Sequence, residues 1–164
     1  MEYWDIYDDN LKPTGKTFYE GIKLNKGEYG FLVHIIIKNK DGKFLLQQRA
    51  FTKKYYPGQW DATCGRVQAG ESGIEAAMRE VKEELGLDTK AENYTLLFHN
   101  IYHNTVLLDI FLLNLDFSID DCIIQKDEVE TIGLYTFEEM LEILMPSKDN
   151  IYIDILNTKI EKKS

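Results

Sequence analysis

Three glutamates, Glu80, Glu83 and Glu84, stand together in the run Arg79-Glu-Val-Lys-Glu-Glu84. At about 100° per residue, a helix gathers them within an arc of roughly 100°. Glu80 then repels both Glu83 and Glu84, by a few tenths of a kcal/mol each. All three lie in the C-terminal half of the helix predicted here, where the dipole favours cations. Arg79 offsets part of this repulsion through Glu83, and Lys82 adds a little. A solvated acidic face is the bland alternative, but it does not explain three carboxylates gathered beside an apolar stripe. A shared divalent cation does explain it, because carboxylate oxygens are hard donors suited to Mg²⁺ or Mn²⁺. Such an ion keeps positions for water and phosphate oxygens, so it can bring a polyphosphate to an acidic protein.

The elements that would position this cluster are readable from pattern. Ser72-Gly-Ile-Glu75 has the spacing of a capping box, so a helix begins there. Its apolar positions, Ile74, Ala77, Met78, Val81 and Leu85, recur with the helical period, and Gly86 can close it in the left-handed region. Upstream, Gly65 and Gly70 permit a tight loop that brings backbone close to a metal or phosphate. Phe31 to Ile37, rich in β-branched residues, and Phe44 to Leu46 predict a hairpin turning near Asp41-Gly42. Tyr94 to Tyr102 and Thr105 to Leu115 predict a second pair turning near His103-Asn104. Val129 to Tyr135 is a further strand. Phe137 to Leu144 is a helix stopped by Pro146, and Asp149 to Ile160 is another. The sum is a mixed α and β domain built around a sheet.

Composition sets the outer bounds. The chain has 164 residues, 44% hydrophobic and 12% aromatic, which fits one compact domain over residues 1–164. Its 19 basic residues against 28 acidic ones give a net charge of -9, which argues against a nucleic-acid polymer as partner. Two cysteines, Cys64 and Cys122, cannot make a disulfide framework, and the acidic amino terminus has no signal-peptide character. The longest apolar stretch, Val106 to Leu115, is too short to span a membrane. A protein of the cytoplasm with no membrane partner is expected.

Gly65, Glu71, Arg79, Glu80, Val81, Glu83, Glu84, Gly86 and Leu87 fill every specified position of G-x5-E-x7-R-E-U-x-E-E-x-G-U, with U aliphatic. This resembles the signature of the Nudix hydrolase family without substitution. Phe44-Leu-Leu-Gln-Gln-Arg49 is similar to the strand preceding that box, and Pro57-Gly-Gln-Trp60 to its G-x-W lead-in. Trp4-Asp-Ile-Tyr-Asp8 with Pro13-Thr-Gly15 is similar to a bacterial subgroup related to isopentenyl-diphosphate isomerase. The resemblance implies an α/β/α sandwich with a mixed sheet, and hydrolysis of a small diphosphate, often a nucleoside derivative, with Mg²⁺ or Mn²⁺. It implies Glu80, Glu83, Glu84 and the Gly65 carbonyl as metal ligands, with Arg79 orienting the glutamates and Glu71 bracing the loop. A carboxylate takes the proton from the attacking water: Glu83 within the box, or Glu128 in the distant Asp127-Glu-Val-Glu130. Family members are often dimers.

Other residues carry weaker signals. Arg49, at a strand end, could meet a phosphate; Trp60 either packs beneath the box loop or stacks on a base. His34, His99 and His103 have no metal-like spacing; His34 reads as a strand residue with a satisfied hydrogen bond, the others as hairpin surface. Cys64-Gly65 resembles the catalytic cysteine and glycine of the type I isomerase. Arg66, however, stands where that enzyme has a metal-binding histidine. Isopentenyl-diphosphate isomerisation through Cys64 is therefore the alternative function. Substrate choice is expected to rest with loops around Leu11 to Gly27, Ala50 to Tyr56 and His103.

Overall fold

An apolar run without polar alternation belongs in a strand buried on both faces, and residues 30–38 form that strand. The computed structural model describes residues 1–160. In chain order the elements are β1 (Trp4–Tyr7), β2 (Pro13–Phe18), β3 (Gly30–Lys38), β4 (Phe44–Arg49), β5 (Trp60–Asp61) and β6 (Thr63–Arg66). Then come α1 (Gly73–Leu85), β7 (Tyr94–Tyr102), β8 (Val106–Asn114), β9 (Val129–Tyr135), α2 (Phe137–Leu144) and α3 (Asn150–Lys159). The main sheet runs β5-β4-β3-β8-β7, with β6 also on β3 and β9 on β4. β3 and β8 are parallel, Gly30 opposite Val106 through Lys38 opposite Asn114. The other ladders are antiparallel, so the sheet is mixed.

Alternate side chains of β3 feed two cores. Val33, Ile35 and Ile37 pack with Ala76, Ala77, Val81 and Leu85 of α1. Ile36, with Phe44, Leu46 and Ile110, packs with Phe137, Met140 and Leu144 of α2 and Tyr152 and Leu156 of α3. Each large aliphatic side chain buried this way contributes about 1.5–3 kcal/mol. Helices on both faces of a mixed sheet make the expected α/β/α sandwich.

The hairpin geometry matters for the site. β3 and β4 pair only beside their turn, Ile37 with Leu45 and Lys38 with Phe44. Further on they part, and residues 60–66 enter the split: β5 pairs with the end of β4 and β6 with β3. The β7–β8 turn falls at His103 and Asn104, both with positive φ (53° and 54°), as a tight hairpin with right-handed strand twist requires. Helix α1 carries the capping box in full: Ser72 Oγ accepts from Glu75 N at 3.3 Å, and Glu75 Oε1 accepts from Ser72 N at 3.0 Å. Gly86 closes it at φ 71°.

Two sequence expectations need amendment. The segment Leu11 to Gly27, expected as loop, contains β2, which pairs with β1 as an outlying ribbon. All of β2 but Phe18 is exposed, so it has no apolar alternation to announce it. His99 and His103 lie on the hairpin surface but are not idle: His99 pairs with the buried Asp109 and His103 with Asp149. Asp109 in turn sits against Gly73, at the positive end of α1, where a Cβ would meet its carboxylate at 2.3 Å.

His34 faces α3, its Nδ1 2.9 Å from the Tyr152 hydroxyl. Burial pushes its imidazole down from 6.5 to about 4. The unfolded chain therefore takes up this proton at higher pH than the folded one. His34's share of stability is complete above pH 6.5 and is lost as pH falls toward 4, by roughly 3 kcal/mol at most. Chemical denaturation across that range should show a steeper loss in the wild type than in His34→Gln. Ser72→Ala should lower stability by about 1 kcal/mol, read as a melting temperature about 2–4 °C lower.

Candidate active site

Glu84 lies on the buried face of α1 beside Val81 and Leu85, with only 7% of its surface exposed. Its Oε1 accepts from Gln47 Nε2 at 2.6 Å, and Gln47 Oε1 accepts from Thr63 Oγ1 at 2.8 Å. A hydroxyl on β6 thus sets the orientation of an amide on β4, which holds a glutamate of α1. Glu80, one turn earlier, is coupled electrostatically to Glu84. Burial first, and then the neighbouring Glu80, push the Glu84 carboxyl up to about 9, and the Gln47 bond recovers only part of that. Burial also raises Glu80, against the opposing effects of Glu84 and Arg79. Gly65 makes room for this pair: a Cβ there would lie 2.2 Å from the Glu80 carboxyl.

Arg79 ties the loop to the cluster. Its Nε donates to Glu71 Oε2 at 2.7 Å and one terminal nitrogen to Glu71 Oε1 at 2.9 Å, a two-pronged pair. The other terminal nitrogen reaches Glu80 at 2.8 Å and Glu83 at 3.3 Å, while the one on Glu71 also donates to the Arg66 carbonyl at 3.0 Å. The bond to Glu71 leads the effects that hold the guanidinium above its ordinary value. Burial pushes Glu71 up, but bonds from Arg79 and from the Gln68 amide outweigh it and keep the carboxyl below its usual range. Glu71 faces the loop and Arg79. Glu83 has half of its side chain in solvent.

These groups open on a cleft of about 620 Å³. Gly65, Glu80, Glu83, Glu84, Arg49 and Glu128 all line it, so residues far apart in sequence meet there. Glu128 arrives because its segment is strapped to the end of α1, Ile123 N to Leu85 O at 2.9 Å and Gln125 N to Glu84 O at 3.1 Å. Of the expected substrate loops, Tyr19 to Ile22, Lys53 and Tyr55 also reach the cleft.

Trp60 is not among the described residues lining the cleft. Its indole meets Tyr135 edge-on at 5.9 Å and packs with the core under α2 and α3, so the stacking role is withdrawn. β5 pairs Trp60 with Gln48, and that register sends the ring into the other layer. Sequence reasoning missed Gln47, Thr63 and Lys53, whose Nζ pairs with Glu128 at 2.8 Å. Gln47 had a signal, a polar residue following three buried apolar ones in Phe44-Leu-Leu. Cys64 also faces the cleft, and burial pushes its thiol well up, so it stands as S–H.

The donor chemistry is that of a hard cation, but the ligand set is not drawn together. Among the described residues no three acidic, histidine or cysteine side chains converge at ligand distance. Glu83 is instead turned onto Arg79.

Comparison with known proteins agrees with the fold and the box signature. The NUDIX domain model matches residues 29–155. A Nudix hydrolase of Listeria innocua is 36% identical over 166 residues, covering 100% of this chain and 96% of the relative. An isopentenyl-diphosphate Delta-isomerase of Pectobacterium atrosepticum is 30% identical over 143 residues, covering 85% of this chain and 79% of that one. A crystal structure from Deinococcus radiodurans superposes with a TM-score of 0.76 at 18% identity, over 97% of this chain and 100% of the other, a likeness of fold. Among the described residues no helix is long and apolar enough to cross a membrane. With Gly65, Arg79 and the three helix glutamates on one cleft and a family match over most of its length, the chain belongs to the Nudix hydrolases, pyrophosphohydrolases that generally act on nucleoside diphosphate derivatives with a divalent cation.

Proposed function

We propose that the protein is a Mg²⁺- or Mn²⁺-dependent hydrolase that cleaves the diphosphate linkage of a nucleoside diphosphate derivative or a similar small diphosphate by attack of water on phosphorus. The observation that carries this reading is the buried Glu80–Glu84 pair on the cleft, two carboxylates crowded where burial raises both. A cation fits there: the donors are hard oxygens, their crowding is what a positive ion relieves, and Gly65 leaves the space a side chain would fill. Glu80, Glu84 and a Glu83 turned away from Arg79 would hold it, with the Gly65 carbonyl as a further ligand. When bound, the ion supplies charge neutralisation for the diphosphate and acidity for a water.

The chain's own groups do the rest. Arg79 orients Glu80, holds Glu83 until a cation draws it away and, engaged on every side, does not reach for substrate. Glu71 braces the loop through the Gln68 amide. Arg49, its Nε on the Tyr55 carbonyl at 2.9 Å, keeps its terminal nitrogens for a phosphate oxygen. Glu83, half in solvent, accepts the proton as water attacks. Glu128 is the second candidate base, at present paired with Lys53. The two free cysteines suit a reducing cytoplasm.

The isomerase relative and the position of Cys64 on the cleft favour one second reading, isomerisation of isopentenyl diphosphate, in which one proton is added and another removed, with Cys64 as one of the two proton-transfer groups. Cys64→Ala separates the two: loss of isomerisation supports the second, whereas hydrolysis near the wild-type rate supports the first.

Two substitutions test the hydrolase. Glu83→Gln should cut nucleoside monophosphate formation from a panel of nucleoside diphosphate derivatives by several powers of ten with Mg²⁺ present and the melting temperature unchanged. Near-normal turnover would count decisively against the assignment, and a deeper loss in Glu128→Gln would move the base to the distant loop. Gly65→Ala should displace the Glu80 carboxylate and weaken Mn²⁺ binding, followed by electron paramagnetic resonance, at least tenfold; unchanged affinity would remove Glu80 from the ligand set.

A further inference from the structure

The cleft carries four basic side chains, Arg49, Lys53, Arg66 and Arg79. Arg79 is spent on Glu71, Glu80 and Glu83, and Lys53 on Glu128. Arg66 is different. Among the described residues it forms no ion pair; its guanidinium instead lies over the Trp4 ring at 4.6 Å and near the Phe18 ring at 5.9 Å. Trp4 and Phe18 are opposite one another in the β1–β2 ladder and touch edge to face at 5.3 Å, so the two rings form one wall.

The position is built from both ends. The Arg66 backbone is fixed in the β3–β6 ladder opposite Leu32, and its carbonyl is held by Arg79. At the tip, Gly30 leaves the room: a Cβ there would come within 3.0 Å of both an Arg66 terminal nitrogen and the Phe18 ring. An aromatic face attracts the face of a guanidinium and leaves its in-plane N–H groups unused. Partial desolvation against the ring wall lowers the pKa of Arg66, against the raising effect of Glu2 and Glu20, yet an arginine stays charged. A partly desolvated cation with its donor edge unspent, one residue beyond Gly65, is matched by a dianionic oxygen group that it can bind with two parallel bonds.

We propose that Arg66, laid over Trp4 beside Phe18, is a diphosphate-binding residue, and that the amino-terminal ribbon thereby forms one wall of the substrate site. The proposal rests on the hydrolase reading and goes beyond it. Trp4 and Phe18 lie outside residues 29–155, so this wall is an addition to the matched domain rather than part of it.

Inorganic pyrophosphate tests this without a turnover assay. Its affinity would be measured by titration calorimetry with Mg²⁺ for the wild type, Arg66→Met, Arg66→Lys and Trp4→Leu, with Mn²⁺ uptake in the absence of pyrophosphate followed in parallel. Arg66→Met keeps the apolar packing and removes the charge; it should bind pyrophosphate about tenfold to hundredfold more weakly while Mn²⁺ uptake and melting temperature hold. Arg66→Lys should recover part of the loss, and Trp4→Leu should weaken binding severalfold although the charge remains. Pyrophosphate affinity unchanged in Arg66→Met would overturn the role of Arg66 and leave the hydrolase reading standing. A wild type that takes up no pyrophosphate would overturn both.

Discussion

Glu84 is a carboxylate on the core face of a helix, and its burial is the constraint around which the site is arranged. A buried charge needs partners, and Glu84 has a neutral donor, Gln47, and an acidic neighbour, Glu80. No arginine reaches it; Arg79 pairs with Glu71, Glu80 and Glu83 instead. The result is a carboxyl held far from its ordinary range, a state that stability alone does not select. Functional sites are where such conflicts are kept, and the proposed dication would relieve this one.

The sheet is shaped to hold that conflict in place. Because β3 and β4 part after their turn, β6 can lie on β3 and bring Thr63 to Gln47 and Gly65 to Glu80. The helix is fixed at both ends, by the Ser72–Glu75 box and by Gly86. The segment carrying Glu128 is hydrogen-bonded to the α1 terminus, so the acid from β9's side moves with the helix. The positions of the glutamates therefore depend on backbone ladders rather than on long side chains finding one another.

Much of this was legible in the sequence, for identifiable reasons. β7, β9 and α2 fall where their apolar periods put them, and α1 starts and stops at its caps, because these are local signals. The box residues were legible because their spacing is fixed within one loop and one helix. What stayed hidden depends on contacts between distant segments. The outlying ribbon has one buried position in six in β2, and β5 has only two residues. Trp60 could be assigned to either layer until the β4–β5 register was known. Gln47, Lys53 and Arg66 acquire meaning only from Glu84, Glu128 and Trp4, which lie far along the chain.

The central claim is that Glu80, Glu83 and Glu84 share one divalent cation. Anomalous scattering from crystals grown with Mn²⁺ and a diphosphate tests it most directly. The expected result is a manganese peak bounded by oxygens of all three carboxylates, with Glu83 rotated off Arg79. A map with no peak there, while diphosphate density is present in the cleft, would contradict the account.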